Sequence, residues 1–205
     1  MAVAARGPVD VLSKSVPSGT LIPQESKLQA VNAFGVQAVV AYRRDAVECK
    51  RRATVGMAPL TRPDVLDLLM GLPEGEAVPV SALSGPERRA LKATPKGAVA
   101  QSNQTVTRQA VQPLRIDLAI VPGRGWESAM EKAELFTPFC ARAVLVERPL
   151  RRKNDAILQA DFYGIGLLAL VGNELDVLVP PRPFVKRRHT VAGWKFLEDM
   201  YTQLA

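Results

Sequence analysis

The stretch that decides the fold runs from Leu114 to Pro149 and resumes from Asp155 to Pro181: LRIDLAIVPGRGWESAMEKAELFTPFCARAVLVERP, a basic break, then DAILQADFYGIGLLALVGNELDVLVPP. Leu114–Val121 is an apolar run of strand length, closed by Pro122-Gly123. Trp126–Phe136 places Trp126, Met130, Ala133 and Leu135/Phe136 near one helical face. Ala141–Val146 is a second buried run, and Asp155–Tyr163 reads as a helix stopped by Gly164. Ile165–Val171 and Leu175–Val179 read as strands of a hairpin turning at Gly172-Asn173. Strand, helix, strand, helix, strand with buried apolar runs predicts a mixed α/β unit over residues 114–205.

Outward from this unit, the bulk properties set bounds. The chain has 205 residues, 47% hydrophobic and 23% charged, enough to bury a core without staples. Sixteen prolines and fourteen glycines predict short elements with frequent stops. A net charge of +7 and a pI near 9.7 favour a polyanionic partner, above all nucleic acid. Cys49 and Cys140 stand alone, without a second ligand at metal-binding spacing, and there is one histidine, which excludes zinc fingers and His-based metal sites. Two free thiols, no apolar leader in Met1–Asp10 and no apolar run of spanning length give the expectation of a cytoplasmic chain off the membrane.

Residues 1–23, rich in Ala, Pro, Gly and Ser, read as a flexible arm. From about Ser26, a long helix is expected through Leu28, Val31, Phe34, Val39 and Val40. Tyr42–Arg52 carries Arg43, Arg44, Lys50, Arg51 and Arg52 against Asp45 and Glu48. It reads either as a phosphate-contacting edge or as a helix end whose cations favour the macrodipole. Glu48-Cys49-Lys50 would present a Glu-x-Lys pair on one face if extended, and diverging side chains if helical.

Pro63 opens the next helix, with Asp64 in its first turn and Val65, Leu66, Leu68 and Leu69 on an apolar face. Ser84 caps a basic helix over 85–92, and Glu87 three residues on completes a capping box. A helix, a connection and a capped basic helix fit a helix-turn-helix, in which Arg88, Arg89, Lys92 and Lys96 face DNA. The dozen-residue connection exceeds the three- or four-residue turn of the tight motif, and the alternative is a helical hairpin with a charged outer face. Lys96–Pro113 then supplies either the hairpin wing of a winged helix, turning at Asn103-Gln104, or a strand into the central unit. The domain expectation is an arm at 1–23, a helical, winged-helix-like domain at 24–113 and an α/β domain at 114–205. Further cations, Arg151, Arg152, Lys153, Lys186, Arg187 and Arg188, lie in expected loops as phosphate contacts or as solvated charge. Thr190–Leu204 reads as an amphipathic helix docked by Val191, Trp194, Phe196/Leu197, Tyr201 and Leu204.

The central stretch resembles one bacterial branch of the restriction-endonuclease-like, PD-(D/E)xK, nuclease superfamily. The resemblance rests on Trp126, Ala129 and Ala133 on a helix, Phe136–Val146, Gly164-Ile165-Gly166-Leu167-Leu168 and Val177-Leu178-Val179-Pro180-Pro181. It covers about a third of the chain by pattern counting. It implies a nuclease-like α/β domain and, were the site intact, Mg²⁺-dependent hydrolysis of DNA by carboxylates and a lysine. Spaced back from Trp126, the Glu-x-Lys positions fall on Ile120 and Pro122, which can neither hold a cation nor move a proton. Asp117 remains as a leading aspartate, and Glu127 or Glu131 with Lys132 are the candidates for a rearranged site. The expectation is therefore a non-enzymatic duplex-DNA-binding protein, regulatory or architectural, with a degenerate nuclease-like domain and no cofactor. The alternatives are a Mg²⁺-dependent endonuclease with rearranged ligands, and a protein-interaction module; a homodimer or a protein partner is a further expectation.

Overall fold

The computed structural model describes Leu12, residues 21–146, Leu150, residues 152–171 and residues 174–204. Most of the arm expected at 1–23, Arg151 and the turn expected at Gly172-Asn173 lie outside the described residues. The fold is mixed α/β. Its elements are β1 (Lys27–Ala33), β2 (Val36–Arg44), α1 (Ala46–Val55), α2 (Pro63–Gly71), β3 (Ala77–Pro79), α3 (Gly85–Lys92), β4 (Val99–Gln101), β5 (Thr105–Arg108), β6 (Leu114–Gly123), α4 (Trp126–Glu134), β7 (Ala141–Val146), α5 (Lys153–Tyr163), β8 (Gly166–Val171), β9 (Glu174–Val179) and α6 (Val191–Leu204).

The chain divides into two compact units, each discontinuous in sequence: Met1–Arg43 with Ile116–Val185, and Arg44–Arg115 with Lys186–Ala205. This differs from a division at 113/114. The cause is strand pairing, because β1 and β2 join the sheet of the C-terminal stretch.

In the first unit six strands run in the order β1-β2-β6-β7-β8-β9. β6 and β7 pair in parallel, as do β7 and β8, and each parallel pair is joined through a helix, α4 and α5. β8 and β9 pair antiparallel. Val39, Ala41, Leu118, Ile120, Ala143, Leu145 and Leu168 form its core with Leu12 and Ile22. Gly123 lets the end of β6 reach α4: a Cβ there would stand 2.7 Å from the Ala129 Cβ.

The helix expected through residues 26–40 is instead the β1–β2 hairpin, with Ala33 opposite Val36. Phe34 and Gly35 turn it with φ of 56° and 74°. Two consecutive positive φ values define the two-residue turn whose twist matches antiparallel strands. Phe34 holds this conformation while packed edge-on to Phe136 and stacked on Phe139, at centroid distances of 5.6 and 5.5 Å. Sequence periodicity gives no sign of a phenylalanine in the left-handed region, where non-glycine residues are uncommon.

In the second unit, α2 packs against α3 and α6. Leu60, Val65, Leu66, Leu69, Ala98 and Trp194 form one core cluster, and Leu68, Leu72, Leu83, Leu91 and Val106 another. A small antiparallel sheet has the order β3-β5-β4. Tyr42–Arg52 is resolved in favour of a helix from Ala46 on. Asp45 caps α1 by accepting from the Glu48 N–H at 2.8 Å, so Glu48 points inward while Lys50 is exposed. The strand-borne Glu-x-Lys geometry is thereby lost. No helix among the described residues is long and apolar enough to cross a membrane.

Candidate nucleic-acid interface

Asp117 lies in the middle of β6, with a side chain 8% exposed. Arg43, near the end of the neighbouring strand β2, donates from Nη2 to Asp117 Oδ1 at 2.8 Å and from Nε to Oδ2 at 2.8 Å. The Ser26 hydroxyl donates to Oδ2 at 3.0 Å. The hydrogen bond to Asp117 raises the Arg43 pKa above its ordinary value, against partial burial. Arg43 is thus a partner of Asp117, whereas its sequence context suggested a phosphate contact.

The residues around Asp117 do not fit the divalent cation that the nuclease resemblance implies. A bidentate guanidinium holds both carboxylate oxygens. Ile120, at the position of the second carboxylate, is fully buried and can hold no cation, and Pro122, at that of the lysine, has neither charge nor proton to give. Glu127, Glu131 and Lys132 are exposed on α4, and no hydrogen bond or ion pair brings them to Asp117. Among the described residues no group of three or more His, Cys, Asp or Glu is placed to hold a metal ion. Cys140 is buried in this unit, and burial pushes its thiol up to about 12, out of range for a nucleophile at neutral pH.

The second unit contains an ionic cluster that sequence reading missed. Arg52, expected at a phosphate-binding edge, is 1% exposed. Its Nε donates to Glu48 Oε1 at 2.7 Å, and Nη1 and Nη2 donate to Glu198 Oε2 and Oε1 at 2.7 and 2.8 Å. The Trp194 indole N–H and the Leu60 amide also donate to Glu198, at 2.9 and 3.1 Å. Arg51 donates twice to Glu48 and once to the Gly97 carbonyl. Burial opposes ionisation of Glu48, but hydrogen bonds from Arg51 and Arg52 overcome it and hold the carboxyl below the usual glutamate range. A phosphate cannot reach Arg52 in this structure, and the expectation of a nucleic-acid contact there is withdrawn. The missed signal is Glu198 on the apolar face of α6, four residues after Trp194.

The remaining cations separate by environment. Arg44 is bonded to the Leu204 carbonyl. Lys186 donates to Gln112 Oε1 at 2.9 Å, and burial, then the nearby Arg115, lowers its pKa. Arg152 is paired with Asp155 at 2.8 Å. Lys50, Lys96, Lys153, Arg187 and Arg188 are exposed without an ion pair among the described residues.

Arg88, Arg89 and Lys92 are likewise exposed and unpaired among the described residues, all on α3. The capping box found there fixes the start of this helix: Ser84 Oγ accepts from the Glu87 amide, and Glu87 Oε2 accepts from the Ser84 amide at 2.7 Å. β4 and β5 form the hairpin expected after it, turning at Asn103-Gln104. Ser102 closes the turn, with its amide donating to the Thr105 carbonyl at 2.9 Å and its Oγ accepting from the Thr105 amide at 3.0 Å. Arg88 and the hairpin-tip residues Asn103 and Gln104 line one open cavity of about 460 Å³. A cationic helix is therefore set beside a loop rich in amide donors and acceptors. Such groups can bond phosphate oxygens and base edges.

No family model, curated protein or solved structure matches the chain.

Proposed function

We propose that the protein is a non-enzymatic duplex-DNA-binding protein, regulatory or architectural, in which α3 and the β4–β5 hairpin make the contact and a nuclease-like unit has lost its hydrolytic site. The observation that carries the reading is the placement of Arg88 beside Asn103 and Gln104, with Arg89 and Lys92 on the same helix and without an ion pair among the described residues. Unpaired guanidinium and ammonium groups displace counterions from a phosphate backbone, and the amides can reach base edges.

The winged-helix form of this reading is supported by chain order. α2, β3, α3 and the β4–β5 hairpin follow one another, and β3 adds to the hairpin through β5. The hairpin would then serve as the wing and α3 as the groove-facing helix.

The loss of hydrolysis is supported by Arg43. A guanidinium locked on Asp117 carries the charge that a Mg²⁺ ion would have to bring, and Ile120 and Pro122 stand where the second carboxylate and the lysine would be needed. The relation to PD-(D/E)xK nucleases is supported by the order of β1, β2, β6, α4, β7, α5 and β8 around one mixed sheet.

The test is an anisotropy titration of a labelled duplex over a range of salt, beside a supercoiled-plasmid assay with Mg²⁺ and Mn²⁺. Binding that weakens steeply with salt, together with intact plasmid, is expected. Salt-independent binding, no binding, or plasmid nicking abolished by Asp117→Ala would overturn the proposal.

A further inference from the structure

The second unit holds an open cleft of about 440 Å³ that the proposed DNA contact does not use. Its lining residues are far apart in the chain, from Asp45 at the cap of α1 to Trp194 in α6, and all belong to this one unit. A cleft of this size, part apolar and with a few convergent polar groups, is the usual form of a small-molecule site.

The polar groups set the charge of the ligand. Arg108 and Glu74 stand side by side in the lining, with Nη2 donating to Oε2 at 3.2 Å. That is longer than the roughly 2.7–2.9 Å usual for a charged N–H···O bond. The Glu74 side chain is 62% exposed, and its Oε1 has no hydrogen bond among the described residues. Arg108 spends a second donor on the Leu69 carbonyl, from Nη1 at 2.9 Å, and its Nε–H is buried without a partner. The remaining Nη donors are uncommitted among the described residues. Each member of the pair thus keeps hydrogen-bonding capacity that the protein does not use.

Asp45 adds a second carboxylate to the lining, and Lys186, bonded to the lining Gln112 at 2.9 Å, adds a second cation. Two carboxylates against two cations favour neither a simple anion nor a simple cation. Neighbouring charges of opposite sign complement a ligand that carries the same two charges side by side. An α-amino acid does so, with its ammonium and carboxylate on one carbon. Met70, Val111 and Trp194 supply apolar wall beside these charges, which suits an apolar side chain. We propose that this cleft binds a free α-amino acid with an apolar side chain, its carboxylate on Arg108 and its ammonium on Glu74.

Isothermal titration calorimetry of the full chain with L-leucine, L-methionine and L-phenylalanine tests this. At least one is expected to bind with a Kd of about 1 mM or tighter, a modest affinity for a ligand of some ten heavy atoms. The matching amine without the carboxylate, and the matching acid without the amine, should each bind at least about tenfold more weakly, the loss of a hydrogen bond to a charged group. Glu74→Gln keeps an acceptor for Arg108 and removes the charge, so it should weaken the amino acid by a similar factor. Because Glu74 is exposed, this variant should keep the wild-type circular dichroism spectrum and melting temperature, which separates a lost ligand contact from lost folding. No heat from any of the three amino acids up to about 10 mM, a range that reaches weak ligands, overturns the proposal. An amine or acid that binds as tightly as its amino acid, or a Glu74→Gln variant of unchanged affinity, overturns it equally. None of these outcomes depends on DNA binding, so this proposal and the proposed function fail separately.

Discussion

Arg43 and Asp117 stand 74 residues apart in the chain and meet on neighbouring strands, the guanidinium bonded to both carboxylate oxygens at 2.8 Å. The pair places a fixed positive charge on both oxygens of Asp117, the atoms that a divalent cation would have to bind. It also makes Asp117 a structural acid. Its side chain is mostly buried, and without Arg43 it would lose two charge-assisted hydrogen bonds.

Arg43→Ala is expected to destabilise the protein by about 2 kcal/mol, the usual cost of losing hydrogen bonds to a charged, poorly solvated group. Chemical denaturation at neutral pH measures this. The variant should still leave a plasmid supercoiled in Mg²⁺, because removing the arginine does not bring further carboxylates to Asp117, and among the described residues no group of three or more His, Cys, Asp or Glu is placed to hold a metal ion. Unchanged stability would show that the pair is incidental.

Arg52→Met should cost more, about 3–5 kcal/mol, because it leaves both Glu48 and Glu198 buried without their shared cation. Replacing all three members by apolar residues of similar volume should recover much of the loss. Denaturant midpoints of the single and triple variants decide it. A mild effect of Arg52→Met alone would contradict the buried cluster.

The same cluster predicts a limb of acid sensitivity. Glu48 has a folded-state pKa below its unfolded value. Its contribution is therefore complete above the ordinary glutamate range and is lost as pH falls through the lower folded-state value. Stability should fall with pH below about 4.5, near the unfolded glutamate pKa, and Glu48→Gln should flatten that slope while lowering stability at neutral pH. A slope unchanged in the variant would assign the acid sensitivity to other carboxylates.

Cys140 should resist alkylation at pH 8 in the native protein and react on unfolding, since burial both shields the thiol and raises its pKa to about 12. Mass spectrometry after iodoacetamide treatment, with and without denaturant, reads this at the peptide carrying Cys140. Rapid native labelling there would mean that the β7 edge of the core opens readily.

Much of the architecture was legible in order along the chain. The strands and helices from β6 to β9 follow from apolar runs punctuated by Gly and Pro, and α3 follows from a capping box whose residues are three apart. These signals are local. The β1–β2 hairpin was not legible, because its turn rests on Phe34 at positive φ, held by Phe136 and Phe139 about a hundred residues away in the sequence. The ionic cluster was hidden for a related reason. Arg52 ends a run of basic residues that looks like surface, and only the approach of Glu198 from α6 takes it into the interior. Arg43 and Asp117 likewise show no sign of each other along the sequence. Pairing between distant residues separated the cations that serve the fold, Arg43, Arg51 and Arg52, from those on α3 that have no ion pair among the described residues.

The salt dependence of duplex binding by the wild-type chain and by an Arg88→Ala, Arg89→Ala, Lys92→Ala triple variant tests the central claim most directly. Affinity should fall log-linearly with salt. The triple variant should bind more weakly, with a slope reduced by roughly one for each phosphate it no longer neutralises. Binding that ignores salt, or a triple variant indistinguishable from wild type in both affinity and slope, would contradict it.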